Sequence, residues 1–245
     1  MTVENSGSLA AAPRLEKDGT VAVMSLGAGE NRFNLDSIRA VDALLTEVES
    51  GDYVALVTTA EGKIWSNGFD TPWIAANRDL APETILAGER LLARMLTFPV
   101  PTVAALQGHC FAAGMMYALA HDLRVMRADR GFLCLPEVTF GAVFTPGMTD
   151  VLTSRMSPSV AHRAMVLGHR FGGAEALATA LVDDAVAEDE VIGRAVALAG
   201  AYSGHGRDAV VALKRQLYAR ALSTLGQPTP PGLLQALFDL EAGRS

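Results

Sequence analysis

Aromatic side chains are scarce in this 245-residue chain, at 6% of residues, and cysteine is scarcer, with only Cys110 and Cys134. A core must therefore come mostly from Ala, Val, Leu and Met. Two thiols are too few for a disulfide framework. Neither sits in a C-x-x-C or Cys/His cluster that would hold zinc, so no metal site is expected. Both read as reduced thiols in or near the core. Basic residues are outnumbered, with 20 Lys and Arg against 27 Asp and Glu and a formal net charge of -7. That balance argues against nucleic acid or an anionic membrane as the main ligand. It leaves room for an anionic small molecule, because a few placed cations can hold a phosphate. No run approaches the roughly 18 uninterrupted apolar residues of a membrane-spanning helix. Met1 to Pro13 has no basic region ahead of an apolar run, and reads as a loose tail rather than a signal peptide. Gly243-Arg244-Ser245 is not a peroxisomal address. A cytoplasmic setting is the expectation.

What is present is apolar material, 50% of the chain, enough for one large domain. Val21 to Leu26 reads as a strand between Gly19 and Gly27. Asn34 is placed to cap a helix in which Leu35, Ile38, Val41, Leu44, Leu45 and Val48 share a face, with Gly51 closing it. Val54 to Thr59 reads as a buried strand, and Glu61 to Phe69 as a loop. Ile85 to Leu96 is helical by spacing. Thr102 to Leu106 is a strand, and Ala112 to His121 a buried helix. Leu123 to Met126 and Gly131 to Leu135 are strands. Loops and short helices follow to about Leu167, then a helix over Gly173 to Ala180 and an extended piece, Leu181 to Val186. The C-terminal third is helical, with Val210, Leu213 and Leu217 on one face. Strands alternating with helices predict an α/β fold with parallel crossovers and a helical extension.

Three segments carry the chemistry. Trp65-Ser66-Asn67-Gly68-Phe69-Asp70 follows a predicted strand and loop. Gly108-His109-Cys110-Phe111-Ala112-Ala113-Gly114 joins a strand to the buried helix. Leu135-Pro136-Glu137-Val138-Thr139-Phe140-Gly141 comes third. A loop that enters a helix exposes backbone N–H groups with no internal partner. Small residues let a ligand atom approach them, and the helix dipole adds positive potential. Two such N–H groups converging on one point would form an oxyanion hole. Close helix–strand contact explains the same small residues. Glu137 has Leu135, Val138 and Phe140 for neighbours, so burial would raise its pKa as a general base requires. An exposed or capping glutamate at a helix start is the alternative.

In their order and spacing these segments resemble the crotonase (enoyl-CoA hydratase/isomerase) superfamily, and most closely the plant-type monofunctional Δ3,Δ2-enoyl-CoA isomerases. Glu30-Asn31-Arg32-Phe33-Asn34, Pro101 to His109, His121-Asp122, Asp129-Arg130-Gly131 and Pro136-Glu137-Val138 extend the likeness from about Val21 to about Val186. The resemblance implies a spiral of ββα units over 14–190 after a tail at 1–13, with a helical trimerisation region at 191–245. It implies a homotrimer or a dimer of trimers. It implies an acyl-CoA substrate and no tightly bound cofactor, coenzyme A being part of the substrate. It makes the backbone N–H groups of Phe69 and Ala113 the oxyanion donors and Glu137 the catalytic base. It places Met116 where hydratases carry their first glutamate. A thioether cannot activate water, which favours double-bond isomerisation in fatty-acid metabolism over hydration. The rival readings are another crotonase-type enzyme, a hydratase or hydrolase, and a non-catalytic acyl-CoA-binding scaffold. Around the base and donors the resemblance implies substrate contacts at Gly68, Ala112, Gly114 and Met116. Asn31 and Asn34 lie where relatives pass the coenzyme, although Asn34 could equally be a plain helix cap. Lys214 lies where relatives place a cation near the phosphates, or is an exposed helix lysine. Trp73 and Ile74 are candidates for the acyl wall or for the core. His109 reads as structural, Asp70 as a helix cap, and Asp129-Arg130 as a pairing.

Overall fold

Strands that alternate between two sheets organise the chain. The computed structural model describes residues 12–243; most of the proposed tail and the last two residues lie outside them. The order is β1 (Arg14–Asp18), β2 (Val21–Ala28), α1 (Leu35–Ser50), β3 (Ala55–Glu61), β4 (Ile64–Ser66), α2 (Thr71–Ala76) and α3 (Ala81–Leu96). Then come β5 (Thr102–Leu106), β6 (His109–Phe111), α4 (Ala113–Ala120), β7 (Leu123–Arg127), β8 (Leu133–Cys134), a 3-10 turn (Pro136–Phe140), α5 (Pro146–Arg155), α6 (Pro158–Met165), α7 (Gly173–Ala178) and β9 (Asp184–Val186). The chain closes with α8 (Val191–Ala201), α9 (Arg207–Leu217), α10 (Ala219–Thr224) and α11 (Pro231–Ala242).

The large sheet runs β1-β2-β3-β5-β7-β9 and the small one β4-β6-β8. Only β1 is antiparallel. Successive strand pairs, β3/β4, β5/β6 and β7/β8, thus place one strand in each sheet. β5 is buried at every position, as a strand covered on both faces must be. Alternate residues serve two cores. Val57, Val103 and Ala105 meet Val191, Ala195 and Ala199 of α8. Leu56, Ala104 and Leu106 join the larger cluster with α1, α3 and α4.

Asn34 caps α1 as expected, accepting from Asp36 and Ser37 N–H while Ser37 Oγ accepts from Asn34 N–H. That reciprocal capping box needs both side chains. α4 is buried at all eight positions, which suits a helix apolar on every side. His121 at its end bonds Tyr117 O and Thr58 Oγ1, each at 2.8 Å. Burial lowers its pKa to about 3, so it stays neutral and structural.

Several expectations need correction. β1 lies in a stretch too polar to be read as a strand, because it forms a sheet edge. The 61–69 segment contains β4 and is not wholly a loop. β8 spans only Leu133–Cys134. Leu213 and Leu217 of α9 are 65% and 73% exposed and make no core face here. Asp129 is held by Arg127, at 2.6 and 2.8 Å, and not by Arg130. Both cysteines are free and buried.

Candidate active site

Parallel pairing of β4, β6 and β8 puts their C-terminal ends at one edge. The first two motifs run through β4 and β6 and past their ends, and the third follows β8, so the topology sets them side by side. They border a cavity of about 300 Å³.

The first motif is locked by pairing with the chain ahead of α1. Phe33 N–H donates to Gly68 O at 2.8 Å, and Asp70 N–H to Phe33 O at 2.9 Å. Ser66 Oγ donates to Asn31 O at 2.8 Å and accepts from Gly68 N–H at 3.1 Å. Between these bonds the Phe69 N–H has no acceptor among the described residues. Its ring is seated on α3, where a Cβ at Gly88 would lie 2.6 Å away. Asp70 caps α2 through Trp73 N–H.

The second motif turns sharply. Ala112 takes φ 51°, ψ -129°, a conformation that costs a residue with a Cβ about 1–3 kcal/mol. Its N–H is held by Cys134 O at 3.0 Å. Ala113 then opens α4, and its N–H also has no acceptor among the described residues. The two backbones touch. A Cβ at Gly68, itself at φ +79°, would sit 2.8 Å from Ala113 N. At Gly114 a Cβ would meet Ser66 O at 2.7 Å. Glycine at both positions is what permits this approach.

Glu137 enters on the 3-10 turn and is 7% exposed. Its Oε2 is buried without a hydrogen-bond partner among the described residues. Burial raises its pKa from 4.5 to about 7, opposed by a bond to its own N–H. It is the sole acid among the residues lining the cavity. The apolar company differs from the local reading. Val138 points outward at 45% exposed, and the walls come from Met116, Phe140, Phe144, Met148, Leu233 and Leu237. Leu233 and Leu237 lie too far along the chain for local spacing to reveal them. Trp73 and Ile74 do not line this cavity.

A raised carboxyl pKa fixes the sign of a pH effect. The folded state keeps the Glu137 proton after the unfolded chain has lost it. Stability therefore falls as pH rises from about 4.5 through about 7, by about 3 kcal/mol in total. Glu137→Gln should gain thermal stability over wild type at about pH 8 and much less at about pH 5. Calorimetric melts at both values check this.

The remaining candidates have other partners. Asn31, at φ 46°, donates to Ile64 O and Trp65 O. Asn34 adds to its cap a bond to Asp70 Oδ2 at 3.0 Å. Both border a neighbouring cavity, as does Arg32, which lines the two. Lys214 is not an exposed lysine. Its ammonium is buried against Asp122 Oδ2 at 2.7 Å and Phe98 O at 2.9 Å, away from the cavity lining. Burial lowers its pKa against the pull of Asp122. His109 stacks near Phe111 and Phe132. Among the described residues no cluster of acidic, His or Cys side chains could hold a metal ion, and no helix is long and apolar enough to cross a membrane.

This spiral, with three strand ends gathered around one buried acid, defines an enoyl-CoA hydratase/isomerase fold, and residues 16–229 match that family. The chain belongs to it. Among curated relatives it is 34% identical over 234 residues to enoyl-CoA delta isomerase 2, peroxisomal, of Arabidopsis thaliana, covering 88% of this chain and 95% of that one. Enoyl-CoA delta isomerase 3 of the same plant is 36% identical over 179 residues, covering 70% and 75%. Among solved structures, a Mycobacterium tuberculosis protein described in one structure as an enoyl-CoA isomerase and in another as a probable enoyl-CoA hydratase superposes with TM-score 0.81 at 26% identity in the first, covering 95% and 98%. The human mitochondrial delta3-delta2-enoyl-CoA isomerase shares the fold, with TM-score 0.80 at 22% identity and coverage of 95% and 97%.

Proposed function

We propose that this protein is a Δ3,Δ2-enoyl-CoA isomerase in which Glu137 alone carries the proton. The observation that carries the reading is the cavity's one acid, desolvated and facing apolar walls. Two unpartnered amides lie beside it: Phe69 lines the cavity, and Ala113 follows its lining residue Ala112. The thioester oxygen of a 3-enoyl-CoA accepts from Phe69 N–H and Ala113 N–H. Glu137 takes a proton from C2, and the electron pair left there forms a dienolate conjugated with C3=C4, its charge held mainly on the oxygen. The protonated Glu137 returns the proton to C4, leaving the C2–C3 double bond of the 2-trans product. A base with pKa near the working pH serves both steps. Met116 fills the position where a second acid would activate water.

Plant relatives named enoyl-CoA delta isomerase favour isomerisation over hydration or thioester hydrolysis. The purified protein should convert 3-enoyl-CoA to 2-enoyl-CoA and leave 2-enoyl-CoA unhydrated. Release of 3-hydroxyacyl-CoA or free coenzyme A as the main product would replace this reading, and ligand binding without turnover would favour a scaffold. A homotrimer, or a dimer of trimers, fits the exposed Leu213 and Leu217 of α9. The setting is proposed as cytoplasmic. Two of the plant relatives are named peroxisomal, so cell fractionation is the test.

A further inference from the structure

One buried acid takes no part in the proposed chemistry. Glu89 of α3 is 1% exposed. Its Oε1 accepts from the Thr145 hydroxyl, and its Oε2 accepts from Gly226 N–H at 2.7 Å. Thr145 caps α5 through Met148 N–H at 3.1 Å, between the cavity residues Phe144 and Met148. Gly226, at φ +84°, lies in the turn that leads into α11. α11 supplies Leu233 and Leu237 to the lining of the same cavity. A single side chain therefore joins one wall to the lead-in of the other.

The docking around it is tight. A Cβ on Gly147 would meet Leu225 Cα at 2.8 Å and Leu225 N at 2.9 Å. α10 is held separately, with Asp150 accepting Arg220 Nε at 2.8 Å and the Thr224 hydroxyl at 2.9 Å. Beyond the turn, the Arg78 guanidinium lies 4.6 Å over the Phe238 ring. An apolar residue could fill the space of Glu89. A buried acid that loses the hydrogen bonds of its oxygens carries an uncompensated desolvation cost. If the turn lifts, Oε2 loses its donor inside the protein. The closed position of α11 is the one that satisfies it.

We infer that Glu89 is a positioning residue that fastens α11 against the cavity and so sets how long an acyl chain the cavity accepts. The chain-length part rests on the acyl-CoA reading; the fastening does not. The test is hydrogen exchange and kinetics on full-length Glu89→Ala and Glu89→Gln. In Glu89→Ala, amides in 226–242 should exchange at least about tenfold faster, with β5 unaffected. Glu89→Gln keeps one acceptor and should fall between. KM for a long-chain 3-enoyl-CoA should rise about tenfold while kcat moves less than about threefold. KM for a short-chain substrate should move less than KM for the long one. Faster exchange in a protein without isomerase activity would sink the functional reading and leave the clasp standing. Unchanged exchange over 226–242 in the folded variants would overturn the clasp. Should Glu89→Ala fail to fold, Glu89→Gln decides.

Discussion

Glu137→Gln should lower kcat for 3-enoyl-CoA isomerisation by on the order of 10³-fold or more, with KM close to wild type. The substitution keeps shape and volume but cannot take a proton. Nothing else in the cavity lining can replace it as an acid. In the wild-type protein the same group makes the rate fall as pH drops through about 7, because the free enzyme must present the ionised base. An absorbance assay of the conjugated thioester reads both effects. A Gln variant with full activity would remove Glu137 from the mechanism.

The second large effect concerns the backbone. Ala113→Pro should reduce kcat by roughly 10²–10³-fold, or about 3 kcal/mol of transition-state stabilisation. Main-chain donors are hard to delete, but this one stands at the first residue of α4. A helix tolerates proline there, since that N–H has no partner within the helix. Ala112 before it already lies outside the helical region, at φ 51° and ψ -129°, so the restriction that proline places on its predecessor is met in part. The proline ring also crowds the contact with Gly68, so the melting temperature should fall somewhat, and kcat is to be read on folded protein. Loss of folding and activity together would report on α4 rather than on the donor, and undiminished kcat would show that the oxygen is bound elsewhere.

The sequence displays these features unevenly, for physical reasons. α1 is legible at both ends because Asn34 and Gly51 are local signals. β3 and β5 are legible because strands buried on both faces need continuous apolar runs. Glu137 stands out as an acid in apolar company, yet its true neighbours come from α4, α5 and α11. Val138, next to it in the chain, faces out. The polar edge strand β1 and the three-residue β4 give no periodicity to read. Lys214 passes for a surface residue because its partner Asp122 is distant in the chain. Local pattern marks the candidate groups, and the family resemblance gives them their proposed roles. The enclosure that shifts their pKa is built from long-range contacts.

Protein crystallised with an unreactive acyl-CoA analogue tests the core of the account most directly. We expect the thioester oxygen about 3 Å from both the Phe69 and Ala113 nitrogens, with the Glu137 carboxylate on one face of the chain, in reach of C2 and C4. An oxygen bound away from those amides, or a second acid standing at C4, would contradict it.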